Sequence, residues 1–281
     1  MKIDVIYSYY SDDSDLRRLK SLKKLISSAK LKFEINNIIL INNSSFVYLD
    51  QDLTRLMNFA EEIILIHGTN ECLEFSGYKQ GLTESIKYDV DGALILNDTF
   101  NFPRNFFPFL QYAFFDAMQK TDCSKKVYLG EFMHLKRDGY ILNLSMRFFI
   151  STYMFFISKK SYIDFCSYLC SPSIWTKQQI AISHNLNERV ADYIYSGNKL
   201  NSWKTFDKNI SFQKRQCLHN EFYLSAKCIN DQNYTMKNIF EDKKILKAIR
   251  RIQWIFFENF KLFFSISGLN SLFNFLKAKL K

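Results

Sequence analysis

The first 100 residues alternate apolar segments with amphipathic ones, and this alternation limits the folds open to the chain. Each apolar segment is long enough for one buried strand and ends near polar or turn-forming residues. The four segments are KIDVIYSYY (2–10), NIILINNSS (37–45), EIILIHGTN (62–70) and GALILNDT (92–99). The segments between them, residues 15–30, 49–61 and 75–88, carry apolar residues at helical spacing. Three strand–helix–strand units with short connections predict an α/β fold with a parallel, doubly wound sheet.

Polar residues follow all four predicted strands at the point where each one ends. They are Ser8 to Tyr10, Asn42 to Ser44, His67 to Asn70, and Asn97 to Thr99. Because the carboxyl ends of parallel strands line a ligand crevice, we expect these side chains to lie close together. One such end would be an ordinary turn, whereas four of them indicate a binding site.

Several familiar sites are excluded by the motifs that the sequence lacks. The chain has no Gly-x-Gly-x-x-Gly, no Gly-x-x-x-x-Gly-Lys-Ser/Thr and no Gly-x-Ser-x-Gly, which removes the usual dinucleotide, P-loop and hydrolase sites. Its six cysteines show no Cys-x-x-Cys spacing and are predicted to be reduced thiols. The amino-terminal residues lack the order of a signal peptide, so we predict a cytoplasmic protein.

The chain beyond residue 104 is less regular. It predicts a helix rich in Phe over 105–119, a strand over 125–135, a turn at residues 137–139, and a core strand over 148–158. The last of these is too short to span a bilayer and lies between Arg147 and Lys159. We interpret this half as the acceptor side of a nucleotide-binding domain.

Positive charge is concentrated at the carboxyl terminus. Residues 243–281 carry nine basic residues and one acidic residue, a net charge of +8 out of +10 for the chain. Ile245, Ile249, Ile252 and Phe256 recur at helical spacing and predict an amphipathic helix. A basic amphipathic helix favours an anionic membrane surface, although a terminal helix packed on the domain is the alternative. Nucleic acid is a poorer fit, because the basic residues accompany an apolar face.

The order of these segments resembles bacterial glycosyltransferases of the GT-A fold, of the family 2-like kind that builds lipopolysaccharide or capsule. The resemblance covers about residues 1–200 and includes GTNECLEFSGYKQGL (68–82) and ILNDTF (95–100). It implies a Rossmann-like GT-A domain over 1–238, with a nucleotide-binding half (1–104) and an acceptor half (105–238). The remaining residues, 239–281, would form the membrane-association tail.

The resemblance also implies roles for particular residues. Tyr7 and Ser8 would flank the nucleotide base, and Asn43 stands where the family usually carries a base-recognising Asp. The remaining donor contacts would come from Asn70, Glu74, Asn97 and Asp98. Asp98 lies at the position of the Asp-x-Asp metal motif and would hold Mg²⁺ or Mn²⁺ against the diphosphate. Because Asn97-Asp98-Thr99 offers one carboxylate instead of two, metal dependence is left open.

Inverting transfer of a sugar needs a base that removes the proton of the acceptor hydroxyl. The carboxylates that follow the fourth strand are Glu131, Asp138 and Glu188. Family order implies a carboxylate on a helix after the acceptor-side strand, which favours Glu188 and leaves Glu131 as the second choice. Glu188 could equally be a solvated helix residue paired with its neighbour Arg189.

The resemblance therefore predicts an enzyme that transfers a sugar from a nucleotide-sugar donor to a lipid-linked or surface-glycan acceptor, at the inner face of the cell membrane. A non-catalytic, membrane-associated scaffold that keeps the nucleotide-sugar fold is the alternative, since Asn43 and Asn97 replace carboxylates. A nucleic-acid-binding protein is disfavoured because the chain without its tail has a net charge of only +2.

Overall fold

A computed structural model of the chain describes residues 1–9, 17–43, 56, 58–69, 71–72, 74–97, 108–141, 144–169 and 220–252. Most of the predicted helix over 49–61 lies outside these residues, and its described end, 58–61, forms a turn instead of a helix. Asn70, Asp98, Glu188, the side chain of Asp138 and the tail beyond residue 252 also lie outside them.

Seven strands form one mixed sheet in the centre of the fold. The strands are β1 (Lys2–Tyr9), β2 (Glu34–Asn42), β3 (Glu62–His67), β4 (Gly92–Asn97), β5 (Lys126–Ile141), β6 (Leu144–Ser158) and β7 (Tyr234–Asn238). Their spatial order is β3-β2-β1-β4-β6-β5-β7. Within the described residues, β6 alone runs against its neighbours. The predicted parallel α/β arrangement is confirmed for β1 to β4, and the reversal at β6 makes the sheet as a whole mixed.

Helices cover both faces of this sheet. They are α1 (Arg17–Lys30), α2 (Glu74–Ser85), α3 (Pro108–Gln119), α4 (Tyr162–Tyr168), α5 (220–230) and α6 (244–252). On one face α1, α3 and α6 pack around Phe114, whereas α2, α4 and α5 pack around Phe155 on the other face. Burial from both sides explains why the central strands β1 and β4 are apolar at most positions.

The strands β5 and β6 form a long hairpin that continues past the carboxyl end of β4. The last residue pair between β4 and β6 is Leu96 with Met154, whereas β6 pairs with β5 as far as Leu144. The predicted core strand over 148–158 is therefore confirmed as part of β6. The predicted turn at residues 137–139 is wrong, because β5 runs on to Ile141 and a register shift takes up the additional residues.

A second register shift in this hairpin lies at the level where β4 ends. Gly130 pairs with Phe155 and Phe132 pairs with Ile150. One residue of β5, Glu131, therefore stands opposite four residues of β6, and we call these four residues, 151–154, the β6 bulge. Bulges of this kind redirect side chains at the rim of a sheet.

The residues that follow β7 pack on the same domain. Ile239 and Phe240 are buried in the core, and Leu246 of α6 packs against it. The stretch 239–252 is therefore continuous with the core that the residues before it build. None of the described helices is both long enough and apolar enough to cross a membrane.

Candidate functional site

The candidate site lies at the carboxyl ends of β1 and β4. The connection from β1 to β2 places α1 on one face of the sheet, and the connection from β3 to β4 places α2 on the other face. In the sheet, β1 lies between β2 and β4. Because the two connections lie on opposite faces of the sheet, the boundary between β1 and β4 is a topological switch point. Ser8 and Asn97 face each other at this boundary, where their backbones pair.

A buried polar pair lies beside this boundary. The Asn43 side chain donates a hydrogen bond from Nδ2 to Ser8 Oγ at 3.0 Å, and both side chains are more than nine-tenths buried. Within the described residues, Asn43 Oδ1 is buried and has no hydrogen-bond partner. A buried amide oxygen without a partner is costly, and a donor on a ligand can satisfy it.

Glycines make room for this pair. A Cβ atom on Gly77 would overlap Ser8 Oγ, and a Cβ atom on Gly68 would overlap Asn43 Oδ1. One turn further along α2, a Cβ atom on Gly81 would overlap the side chain of Ile6. The sequence therefore lets α2 and the end of β3 approach the carboxyl ends of β1 and β2 more closely than any other residue would allow.

The structure brings together three of the predicted donor contacts and separates one. Ser8, Asn43 and Asn97 are buried together at the edge beneath α2, and Glu74 is the first residue of that helix. Tyr7 instead lies fully buried in the core on the opposite face, where its ring stacks on that of Tyr9 at 5.6 Å. This follows from the alternation of side chains along a strand, since Tyr7 and Ser8 are consecutive.

A carboxylate that the sequence reasoning missed lies next to this edge. Glu221, in the first turn of α5, accepts hydrogen bonds at Oε1 from the Thr152 backbone N–H (2.8 Å) and from Thr152 Oγ1 (3.1 Å). The Tyr78 hydroxyl donates to the carbonyl oxygen of Thr152 at 2.8 Å. Tyr78 follows Gly77, so these bonds connect α5 through the β6 bulge to the helix that covers Ser8.

The position and exposure of Glu221 suit proton transfer. β6 runs antiparallel to β4, and the pairing of the two strands ends at Leu96 with Met154. Thr152 comes two residues before Met154 in the sequence and therefore lies past the carboxyl end of β4. Glu221 is partly exposed. The two hydrogen bonds from Thr152 orient the carboxylate of Glu221.

Glu131 lies in a different environment. Its carboxylate accepts hydrogen bonds from Arg250 Nε at 2.9 Å and Arg250 Nη2 at 3.1 Å, and the Tyr153 hydroxyl donates to it as well. The side chains of Arg250 and Glu131 are only 5% and 9% exposed. We call these three residues the Arg250 clamp. It joins α6 to β5 and to the β6 bulge, on the sheet face opposite to Ser8.

Burial and charge both act on the pKa values in the clamp. Burial raises the pKa of Tyr153 well above its usual value, and the adjacent charge of Glu131 adds to this effect. Burial alone would lower the pKa of Arg250, but hydrogen bonding and attraction to Glu131 raise it above its usual value. Arg250 therefore stays charged, and both oxygens of Glu131 are engaged by it.

The predicted metal site and the preferred base stay predictions. Asp98 and Glu188 lie outside the described residues. Within those residues, no three His, Cys, Asp or Glu side chains group in a way that could hold a metal ion.

Glu221 and Arg250 were not predicted as site or core residues, because the sequence carries only a weak signal for either of them. Glu221 opens a helix, where acidic residues are common for electrostatic reasons alone. Arg250 lies on the basic side of an amphipathic pattern, which normally indicates a solvated residue. The sequence matches no family model and no curated protein.

Proposed function

We propose that the chain is a glycosyltransferase of the GT-A kind, which transfers a sugar from a nucleotide-sugar donor to a lipid-linked or surface-glycan acceptor with inversion. The observation that carries this proposal is the unpartnered amide oxygen of Asn43 beside Ser8, next to the switch point between β1 and β4. The mixed α/β sheet, which is compatible with a Rossmann-like fold, and the resemblance of the sequence both support it.

In this proposal the two halves of the edge have separate tasks. Ser8, Asn43 and Glu74 contact the nucleotide, and the resemblance implies a further contact from Asn70, which lies outside the described residues. Asn97 and Asp98 lie nearest the diphosphate. When bound, Mg²⁺ or Mn²⁺ at Asp98 would stabilise the charge that develops on the leaving diphosphate.

Glu221 joins Glu188 as a candidate base, and we place it first. It is on a helix that follows the acceptor-side strand, and Thr152 holds it beside the carboxyl end of β4. As the acceptor oxygen attacks the sugar carbon from the side opposite the diphosphate, the carboxylate takes the hydroxyl proton. Glu131 shares neither feature, since it is engaged by Arg250 on the other face.

Nucleotide binding is the first test of the proposed function. We expect one of UDP, GDP, CDP or dTDP to raise the midpoint of thermal unfolding in a saturable manner, because a ligand that binds only the folded state stabilises it. The measurement is a thermal-shift titration with and without Mg²⁺ or Mn²⁺. If none of the four nucleotides shifts the midpoint under either condition, the proposal is wrong.

Asn43→Leu tests the observation that carries the proposal. The substitution keeps the branched shape of the side chain but removes both polar atoms of the amide, so nucleotide affinity should fall at least about tenfold. A titration by calorimetry measures the change. The matched control is Asn233→Leu at an exposed turn, which should leave affinity unchanged. Equal affinities in Asn43→Leu and wild type would remove Asn43 from the site.

Asp98→Asn tests the metal assignment. The variant should fold normally and lose more than about tenfold in turnover, which corresponds to about 1.4 kcal/mol of barrier. The metal-ion concentration that gives half-maximal activity should rise at the same time. Wild-type turnover in this variant would show that residues 97–99 form only a turn.

The scaffold alternative rests on the amides Asn43 and Asn97, which occupy positions where the resembled family carries carboxylates. It predicts nucleotide binding without turnover. Hydrolysis of a nucleotide-sugar donor in the absence of acceptor therefore distinguishes the glycosyltransferase from the scaffold. Only an enzyme can use water in place of the acceptor hydroxyl.

A further inference from the structure

The helix α6 exposes an apolar face while a different face holds it to the domain. Ile245, Ile249 and Ile252 are 77%, 37% and 66% exposed. They lie at positions i, i+4 and i+7 and therefore share one side of the helix. We call these three residues the isoleucine face. Several exposed isoleucines along one side of a helix are unusual on a soluble domain and indicate a contact surface.

Three cations accompany the isoleucine face. Lys244, Lys247 and Arg251 are exposed, and α6 contains no acidic residue. Glu241 and Asp242 come before the helix begins, where negative charge stabilises its amino-terminal end. The chain continues from α6 into residues 253–281, which add four basic residues and one acidic residue. The three cations of α6 lie at positions i, i+3 and i+7 and form a second stripe on the helix, which is complementary to an anionic partner.

Two ion pairs fix the orientation of α6. One is the buried pair of Arg250 with Glu131 in the Arg250 clamp. The other joins Lys243, directly before the helix, to Asp116 of α3 at 2.7 Å. Hydrogen bonds from Lys243 and then Lys120 lower the pKa of Asp116 to about 2. With Leu246 against the core, these contacts direct the isoleucine face away from the sheet.

We propose that the isoleucine face docks on an anionic lipid bilayer, with Ile245, Ile249 and Ile252 entering the headgroup boundary and Lys244, Lys247 and Arg251 contacting lipid phosphates. A second protein is a poorer occupant, because nine residues of helix extend only about 14 Å and fall far short of the roughly 800 Å² per partner of a stable interface. A bilayer has no such requirement and binds a helix that exposes an apolar stripe and a stripe of cations. This inference does not depend on the proposed chemistry.

The test uses the full chain and co-sedimentation with vesicles. Wild-type protein should bind vesicles of phosphatidylglycerol and phosphatidylcholine, and bind pure phosphatidylcholine much more weakly. The triple variant Ile245→Ser, Ile249→Ser, Ile252→Ser should bind the mixed vesicles at least about tenfold more weakly, because its apolar burial is lost. The matched control is Ile163→Ser on α4, an isoleucine that is 75% exposed and distant in sequence, which should bind like wild type.

Charge is tested separately. Lys244→Glu, Lys247→Glu, Arg251→Glu should abolish most binding at low salt. Its control reverses the same amount of charge at exposed lysines elsewhere, with Lys24→Glu, Lys125→Glu, Lys160→Glu. Binding of the control should exceed that of the α6 variant by at least about tenfold.

Three results would overturn the proposal. The first is wild-type protein that ignores anionic vesicles. The second is a triple serine variant that binds them as tightly as wild type. The third is wild-type protein that sediments as a dimer without lipid while the serine variant is monomeric, which would make the isoleucine face an interface between copies of this chain.

Discussion

Replacing Arg250 with Met should lower the free energy of unfolding by about 3–5 kcal/mol, because it leaves the buried carboxylate of Glu131 without its partner. Urea denaturation followed by far-UV circular dichroism measures the change. The matched control is Arg251→Met, the next residue, which is exposed and should change the free energy by no more than about 0.5 kcal/mol. Equal stabilities of the two variants would show that the pair contributes nothing.

The double variant Glu131→Leu, Arg250→Met should recover much of that loss. It removes both charges together, and apolar residues of similar volume often replace a buried ion pair at little cost. Truncation gives an independent comparison. Ending the chain after residue 252 keeps the Arg250 clamp and should preserve stability, whereas ending it after residue 242 removes Lys243 and Arg250 and should not.

Glu221→Gln should lower sugar transfer by about two to four orders of magnitude, because glutamine cannot accept the proton of the acceptor hydroxyl. Its carbonyl oxygen can still accept the hydrogen bonds from Thr152, so folding and nucleotide affinity should stay close to those of wild type. Single-turnover kinetics with saturating donor measure the transfer step. The exposed Glu241→Gln serves as the control.

The same assay compares the three carboxylates. Glu131→Gln should lose stability more than catalytic rate, since Glu131 holds Arg250. If Glu188→Gln slows transfer by orders of magnitude and Glu221→Gln does not, Glu188 is the base and Glu221 only anchors α5. A fall of transfer in both would mean that both carboxylates contribute to the reacting geometry.

The strands and helices that the sequence predicted are those whose pattern depends on local burial. β1, β2, β4 and the helices α1 and α2 show apolar spacing that a sheet covered on both faces requires. The direction of β6 and the presence of β7 could not be predicted, because both depend on which distant strand pairs with them. β7 is also short and only partly buried.

Some residues around the candidate site could likewise be predicted from the sequence, and others could not. Ser8, Asn43 and Asn97 could be predicted because each lies at the carboxyl end of an apolar strand, and parallel pairing brings such ends together. Tyr7 is not part of the site, because side chains alternate along a strand and Tyr7 therefore points to the face opposite to that of Ser8. The same alternation could have separated the two residues from the sequence alone. Arg250 could not be predicted, because its burial depends on a carboxylate 119 residues away in sequence.

The number of residues in the β6 bulge is critical for the fold. Thr152 and Tyr153 are consecutive, yet Thr152 contacts Glu221 of α5 on one face, whereas Tyr153 belongs to the Arg250 clamp and contacts Glu131 on the other. Deletion of a single residue within 151–154 would exchange these faces, since strand side chains alternate with a period of two. Such a deletion would disconnect Glu221 and α6 at once. Insertions and deletions should therefore be tolerated in the exposed turn at 121–125 but not in these four residues.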